Sequence, residues 1–162
     1  MAKDTAHPAD IREEFWDRAE DITAGMLSSE GAAPRPMAHT AKPKDNALWF
    51  ITAKGTDIAE AAAQSKTGQY ILACGHSQLY AAINGQLRVE TSPEKLDEIW
   101  SPMAAVWFDD GRQDDDICLV RFTPTEGEVW ATEGSAKALF EFAKAHMTDE
   151  RLDMGDHGKV TF

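Results

Sequence analysis

The sequence has 162 residues, 43% of them hydrophobic and 27% charged, which is the size and balance of one folded domain rather than of a disordered chain. Its 16 basic and 28 acidic residues give a net charge of −12, which disfavours nucleic acid and anionic membrane as partners. Residues 1–10 lack the layout of a signal peptide, and no apolar run approaches the ~18 residues of a membrane span, so we expect a soluble, cytoplasmic protein.

The first half of the chain is predicted to mix capped helices with short strands. In chain order these are a helix over 10–21, strands over 23–29, 34–42 and 48–53, a helix over 56–65, and strands over 69–75 and 79–89. Asp10 and Thr56 are the expected helix caps, because their side-chain oxygens can accept the unpaired N–H groups of a first turn. The turn at 44–46 predicts a hairpin, and Asn84 with Gly85 indicates either a bulge or a tight turn.

The second half is predicted to contain two further helices, separated by an acidic loop and two strands. In chain order these are a helix over 93–100, the loop over 109–116, strands over 117–124 and 126–132, and a helix over 135–147. Ser92 is the expected cap of the first helix, and Pro93 suits its first turn. The segment 124–127 is predicted to be a hairpin turn between the two strands, and the polar tail from 148 is predicted to be loose.

Strands linked by hairpins, without regular alternation with helices, indicate a mainly β fold: an antiparallel barrel with peripheral helices. We expect a single domain over 1–162, with its core over about 11–147 and flexible ends. The sequence has no Gly-rich phosphate loop, no Gly-x-Ser-x-Gly and no paired-His motif, so it predicts neither a catalytic residue nor a metal site. The five scattered histidines are interpreted as surface or loop residues.

Function is indicated by short segments that follow one another in a fixed order. They read Arg-Pro-Met at 35–37, Trp-Phe-Ile-Thr at 49–52, Ala-Lys-Gly-Thr at 53–56, Ile-Trp-Ser-Pro at 99–102, Val-Trp-Phe at 106–108, Leu-Val-Arg at 119–121 and Glu-Val-Trp at 128–130. From about residue 11 to about residue 145, this order resembles the general stress protein branch of the pyridoxamine 5′-phosphate oxidase-like, FMN-binding split-barrel superfamily.

The resemblance implies a six-stranded antiparallel Greek-key split barrel that forms a homodimer. It also implies a flavin, FMN or FAD, at each of two sites in the dimer interface. The Arg-Pro-Met strand would lie along the flavin ring, the aromatic-hydrophobic-Thr run near the ring and ribityl chain, and the next loop at the phosphate. The residues that the resemblance assigns to the cofactor, including one from the partner subunit over the ring, are Arg35, Pro36, Met37, Phe50, Ile51, Thr52, Lys54, Thr56, Asp57 and Trp107.

One departure from the family pattern lies in the predicted phosphate loop. Relatives commonly carry Lys where this chain has Ile58, and here the acidic Asp57 stands beside it. A charge-assisted hydrogen bond is worth about 1.5–3 kcal/mol, so its loss would weaken or abolish flavin binding. The C-terminal basic residues of true pyridoxamine 5′-phosphate oxidases are also missing from 151–157, so that reaction is not expected.

Two main functions therefore stay open from the sequence. The first is a flavin-binding general-stress-type protein, with flavin-dependent oxidoreductase activity on a substrate that the sequence does not identify. The second is a cofactor-free split-barrel homodimer that acts as an interaction module. A third reading, a deazaflavin- or haem-binding protein on the same scaffold, has less support from the residues.

Overall fold

Large apolar residues occupy alternate positions along the long strands. The single antiparallel sheet curls so that these residues lie together in its interior. The computed structural model describes residues 8–132 and 155–162. The helices are α1 (Pro8–Ala19), α2 (Asp57–Ala63), α3 (Pro93–Ile99) and α4 (Pro102–Trp107). The strands are β1 (Ala24–Ser29), β2 (Ala32–Ala38), β3 (Thr40–Lys42), β4 (Ala47–Ala53), β5 (Thr67–Cys74), β6 (Leu79–Glu90), β7 (Ile117–Thr132) and β8 (Gly155–Thr161).

The sheet order is β2-β1-β5-β6-β7-β4-β3, with β8 added to the second half of β7. This confirms the predicted mainly β, antiparallel class, although the described strands number eight rather than six. The two ends of the order, β2 and β3, are consecutive in the chain and are joined by His39 alone. The predicted strand over 34–42 is therefore two strands that cross from one edge of the curled sheet to the other.

The predicted hairpin turn at 124–127 is wrong, because β7 continues through it. Pro124 lies opposite Gly85 and Glu126 lies opposite Asn84, so Thr125 is the extra residue of a β-bulge. A bulge accommodates a proline, which has no N–H for the ladder. Gly85 is required there, since a Cβ at that position would lie 2.5 Å from the carbonyl oxygen of Thr123. Of the two alternatives for Asn84 and Gly85, the bulge is confirmed.

The C-terminal end also differs from its prediction. Residues 155–161 form β8 instead of a loose tail, pairing with β7 from Glu126 to Thr132. The ring of Phe162 then packs edge-on against Phe15 and Trp16 of α1, with centroids 5.2 and 5.8 Å away. The helix predicted over 135–147 lies outside the described residues. At the other end, α1 begins at Pro8, so Asp10 lies in its first turn and is not its cap.

Two apolar clusters stabilise the sheet, one on each face. The interior is built around the rings of Phe50, Tyr70 and Phe122, all fully buried. On the outer face, Trp49 and Leu119 pack under Ile99 of α3. Since Trp49 and Phe50 are neighbours on β4, the two faces are fixed by strand alternation. This outer cluster and the strands beside it form the wall of the candidate site.

Candidate functional site

A groove of about 1380 Å³ runs along the outside of the barrel beside β4. One wall comes from β2, His39, β3 and the 3-10 turn Pro43–Asp45, and the other comes from the segment that joins α3 to α4. The last turn after α1 closes one end. The α3–α4 segment is fixed by two serine caps, since Ser92 and Ser101 accept N–H groups of Lys95 and Ala104 at 3.1 and 3.3 Å. The groove therefore lies between the two edge strands of the split sheet, β2 and β3, and the α3–α4 segment.

Thr52 and Thr56 place two hydroxyls in the groove at the start of α2. The Thr56 hydroxyl donates to the Ala53 carbonyl oxygen at 2.9 Å and accepts the Ala59 N–H at 3.3 Å, which confirms Thr56 as the cap of α2. Its single proton is thus used, so Thr52 is the donor in the 3.3 Å contact between the two hydroxyls. Thr56 accepts from both Ala59 and Thr52, so it is the Thr52 hydroxyl whose lone pairs are available to a polar ligand.

Arg35 is held away from the groove by an ion pair. Its Nη2 donates to Asp57 Oδ2 at 3.0 Å, and the two side chains are 38% and 59% exposed. Its Nε is buried and has no hydrogen-bond partner among the described residues. The predicted phosphate loop therefore brings Arg35 and Asp57 together, but the acid neutralises the arginine. Neither residue lines the groove.

Ile58 points into the protein and not toward the groove. Its side chain is fully buried in the interior cluster. The position where the resemblance implies a lysine is thus a core position in this chain. A lysine placed there in this chain would bury its charge, while the expectation that loss of the lysine contact weakens flavin binding stays a prediction.

Histidine 39 and Tyr70 form a buried hydrogen-bonded pair behind the groove wall. His39 Nε2 lies 2.8 Å from the Ala19 carbonyl oxygen, and Nδ1 lies 2.6 Å from the Tyr70 hydroxyl. That hydroxyl is also 2.9 Å from the Met37 carbonyl oxygen. A carbonyl only accepts, so Nε2 carries the proton of a neutral His39. Nδ1 then has no proton, so the Tyr70 hydroxyl donates to Nδ1 at 2.6 Å.

Burial controls the ionisation of this pair. It lowers the pKa of His39, and the hydrogen bond to Ala19 opposes the shift only in part. Burial also raises the pKa of Tyr70, against a hydrogen bond from the Gly25 backbone. Both side chains are therefore neutral near neutral pH. The pair fixes β2 against α1 and β5 where Met37 and His39 line the groove.

The far end of the groove is braced by charged side chains around Trp49. Asp45 Oδ2 accepts from Lys95 Nζ at 2.7 Å and from Trp49 Nε1 at 3.1 Å. Glu98 accepts from Lys95 at 2.8 Å and from Lys42 at 3.1 Å. The Lys95 hydrogen bond lowers the pKa of Asp45, and the Asp45 hydrogen bond raises the pKa of Lys95. These contacts hold α3 on β3 and β4.

Helix α4 presents an apolar edge beside the groove. Met103, Val106 and Trp107 are 53%, 80% and 78% exposed. Met103 and Trp107 line the groove. An exposed cluster of large apolar side chains is typical of a binding surface, because a ligand or partner that covers the cluster removes apolar area from water.

The structure separates the ten predicted cofactor residues into two sets. Those that line the groove are Pro36, Met37, Ile51, Thr52, Thr56 and Trp107. Those that do not line it are Arg35, Phe50, Lys54 and Asp57. Phe50 is fully buried in the interior, and Lys54 is an exposed residue whose backbone N–H donates to the Asp116 carbonyl oxygen at 2.8 Å.

The sequence predicted a surface or loop position for His39, but the side chain of His39 is buried. Strand alternation could have indicated this burial, because Arg35, Met37 and His39 share the less exposed face of the 34–42 segment. Lys42 and Lys44 also line the groove. Their placement depends on the break between β2 and β3, which local sequence does not reveal.

Comparisons with known proteins agree with this fold. The sequence matches the family described as pyridoxamine 5′-phosphate oxidase like over residues 10–153. The structure superposes on a protein from Jannaschia sp. CCS1, provisionally described as general stress protein 26, with a TM-score of 0.82, 46% identity and coverage of 96% of this chain and 100% of that one. No curated protein matches the sequence.

A second solved structure is a general stress FMN/FAD-binding protein from Xanthomonas citri. It has a TM-score of 0.70 and 26% identity, and the match covers 78% of this chain and 92% of that one. A general stress family protein from Xanthomonas campestris pv. campestris matches with a TM-score of 0.67 and 25% identity, over 80% of this chain and 92% of that one.

The fold is thus the split barrel that the sequence predicted. The chain belongs to the pyridoxamine 5′-phosphate oxidase-like family, in its general stress protein branch. Among the helices of the described ranges, none is long and apolar enough to cross a membrane.

Proposed function

We propose that the groove binds a flavin, FMN or FAD, and that the protein is a flavin-binding general stress protein. The observation that carries the proposal is the convergence of Met37, Ile51 and Thr52 on one groove. The family resemblance assigns these residues, from two separate strands, to the flavin ring and ribityl chain. The Xanthomonas citri relative, described as FMN/FAD binding, supports the same ligand class.

The lining has the chemistry that a flavin needs. Ile51, Met103 and Trp107 offer apolar surface to a flat ring. Backbone groups of β2 and β3 lie at the split and can pair with the polar edge of the ring. The Thr52 hydroxyl, which Thr56 holds in place, can accept a hydrogen bond from the ribityl chain. These residues therefore fit the flavin without rearrangement of the barrel.

The phosphate end is the weak part of the fit. Arg35 is the nearest strong phosphate donor on β2, but it is paired with Asp57 at 3.0 Å. Its buried, unpartnered Nε shows that the guanidinium has donor capacity left over. A bound phosphate would compete with Asp57 for Arg35, and Lys54 is exposed at the start of the same loop. We expect this competition to lower affinity without abolishing it.

A bound flavin supplies hydride- or electron-transfer chemistry, and the chain supplies binding, orientation and shielding from water. We therefore propose an oxidoreductase whose substrate stays unassigned. In this scheme His39 and Tyr70 hold β2 in register behind the ring, and the α3–α4 segment covers it. The neutral His39 is a positioning residue, since its two ring nitrogens are occupied by Ala19 and Tyr70.

We further propose that two copies of the chain share each site. The apolar edge of α4, with Val106 and Trp107 largely exposed, extends beyond the groove of its own chain. A second copy packed there would bury this edge and narrow the open groove, with its Trp107 over the ring. Sedimentation of the wild type and of Val106→Asp tests this: a dimer that dissociates in the variant is expected, and a monomeric wild type would contradict it.

Flavin titration tests the cofactor proposal. The purified protein is examined for flavin absorbance and then titrated with FMN, FAD and riboflavin, with flavin fluorescence as the readout. Submicromolar, saturable binding is expected, and Arg35→Ala is expected to weaken FMN by at least about tenfold but riboflavin much less. Arg12→Ala, an exposed arginine on α1, is the matched control.

The Arg35–Asp57 ion pair favours one second candidate, a cofactor-free interaction module. A colourless protein that binds none of the three flavins would support this module and contradict the flavin proposal. Unchanged FMN affinity in Arg35→Ala would remove Arg35 from the site while leaving the groove in place.

A further inference from the structure

Two arginines face one another on the outer surface of the sheet. Arg88 of β6 is directly opposite Arg121 of β7, and Arg121 is in turn directly opposite Trp49 of β4. Directly opposite residues in an antiparallel pair have Cβ atoms about 4.5–5.5 Å apart, and like charges in this arrangement destabilise a sheet. The pairing is unexpected in a chain of net charge −12, where acidic partners are plentiful.

Neither arginine forms an ion pair within residues 8–132 and 155–162. Among the described residues, no carboxylate lies within ion-pair distance of Arg88 or Arg121. Asp45 is close enough for Arg121 to help lower the pKa of its carboxyl, but that carboxylate is already bound to Lys95. Glu90 lies two residues beyond Arg88 on the same strand, opposite Leu119, and makes no ion pair with either arginine.

Arg121 is held in a fixed orientation. Its Nη2 donates to the Asp45 carbonyl oxygen at 2.6 Å, and its Nε donates to Thr123 Oγ1 at 3.2 Å. Its guanidinium also lies 5.5 Å from the centre of the Trp49 ring. The remaining N–H groups are left for another acceptor. Arg88 is exposed and free to approach the same acceptor.

We propose that Arg88 and Arg121 form an anion site that binds a phosphate group. A guanidinium presents paired N–H donors that match the oxygens of a phosphate, and two of them on facing strands can hold one tetrahedral dianion from both sides. The bound anion would relieve the repulsion between the two arginines. The phosphate can be inorganic or the end of a phosphate monoester, and the inorganic case does not depend on flavin binding in the groove.

The test compares thermal unfolding in phosphate and in chloride at matched ionic strength and mildly alkaline pH. The wild-type Tm is expected to rise by about 5 to 10 °C when phosphate exceeds its Kd about a hundredfold. Arg88→Glu is expected to raise the Tm in chloride, because it replaces repulsion by an ion pair with Arg121, and to lose the phosphate response. Arg12→Glu makes the same charge change on α1 and is expected to keep that response.

Calorimetric titration with inorganic phosphate adds a direct readout. Arg88→Gln is expected to raise the Kd at least about tenfold. The affinities of Arg88→Gln for FMN and for riboflavin then distinguish the two sources of the phosphate. If the variant loses affinity for FMN but not for riboflavin, the flavin phosphate is the occupant. If its FMN affinity is unchanged and its binding of inorganic phosphate is lost, the occupant is a separate phosphate. A wild type with no specific phosphate response, or an Arg88→Glu variant that retains the full response, would overturn the site.

Discussion

The interior of the barrel and the groove on its outside are built from alternate residues of the same strands, yet their chemistry differs. On β4, Leu48 and Phe50 are fully buried among other apolar side chains, whereas the alternate residues Trp49 and Ile51 line the groove. The groove has the Thr52 hydroxyl and an apolar edge on α4. Stability and binding are therefore divided between the two faces of one sheet.

The comparison also shows why sequence motifs can assign a residue to the wrong face. The run at 49–52 reads as one ligand-binding motif, but strand alternation sends Phe50 inward. A substitution on the interior face should reduce the free energy of unfolding. A substitution on the groove face should reduce ligand affinity at nearly constant stability.

The largest effect is expected from Ile58→Lys. This change places a charge without a partner in the interior cluster, where Ile58 is fully buried. The free energy of unfolding should fall by more than about 4 kcal/mol, as measured by urea denaturation. A stable variant with stronger FMN binding would show that residue 58 reaches the groove, and would break the division between the faces.

The next effect distinguishes Phe50 from Trp107. Phe50→Ala should cost about 3–5 kcal/mol of stability, because it leaves a cavity in the interior. Trp107→Ala should cost less than about 0.5 kcal/mol, since the side chain is 78% exposed. The same Trp107 variant should weaken flavin binding, which fluorescence titration measures. Equal destabilisation by both variants would contradict the assignment of faces.

Asp57→Asn tests the role of the Arg35–Asp57 ion pair at the start of α2. The change releases Arg35 from an exposed ion pair, so stability should change by less than about 1 kcal/mol. FMN affinity should rise by up to about tenfold, because the arginine is freed for the phosphate. Riboflavin, which lacks the phosphate, is the matched ligand control. Equal gains for both ligands would place the effect elsewhere in the groove.

The smallest expected effect is a pH dependence of the free energy of unfolding that comes from His39. Burial lowers the pKa of His39, so the unfolded chain binds its proton more tightly than the folded one. The contribution of neutral His39 is complete above the ordinary pKa of about 6.5 and is lost as the pH falls from there toward the lowered folded-state value. His39→Gln should lose this component of a urea-denaturation pH series. An identical pH profile in both proteins would exclude His39.

The sequence predicted the mainly β fold, the caps at Thr56 and Ser92, and the hairpin around 44–46, because these depend on local residue chemistry. It did not predict the continuity of β7 through Pro124, which depends on the bulge opposite Gly85. Nor did it predict the burial of His39 and Ile58. Those positions are set by contacts with Tyr70 and the interior cluster, which are distant in the chain.

The most direct test of the flavin proposal is a crystal structure of the protein grown with saturating FMN. The account predicts electron density for the flavin ring against Ile51 and Met37, beside Trp107 of one subunit, with the ribityl chain toward Thr52 and Thr56. An empty groove at saturating FMN, or a flavin bound on another surface, would contradict it.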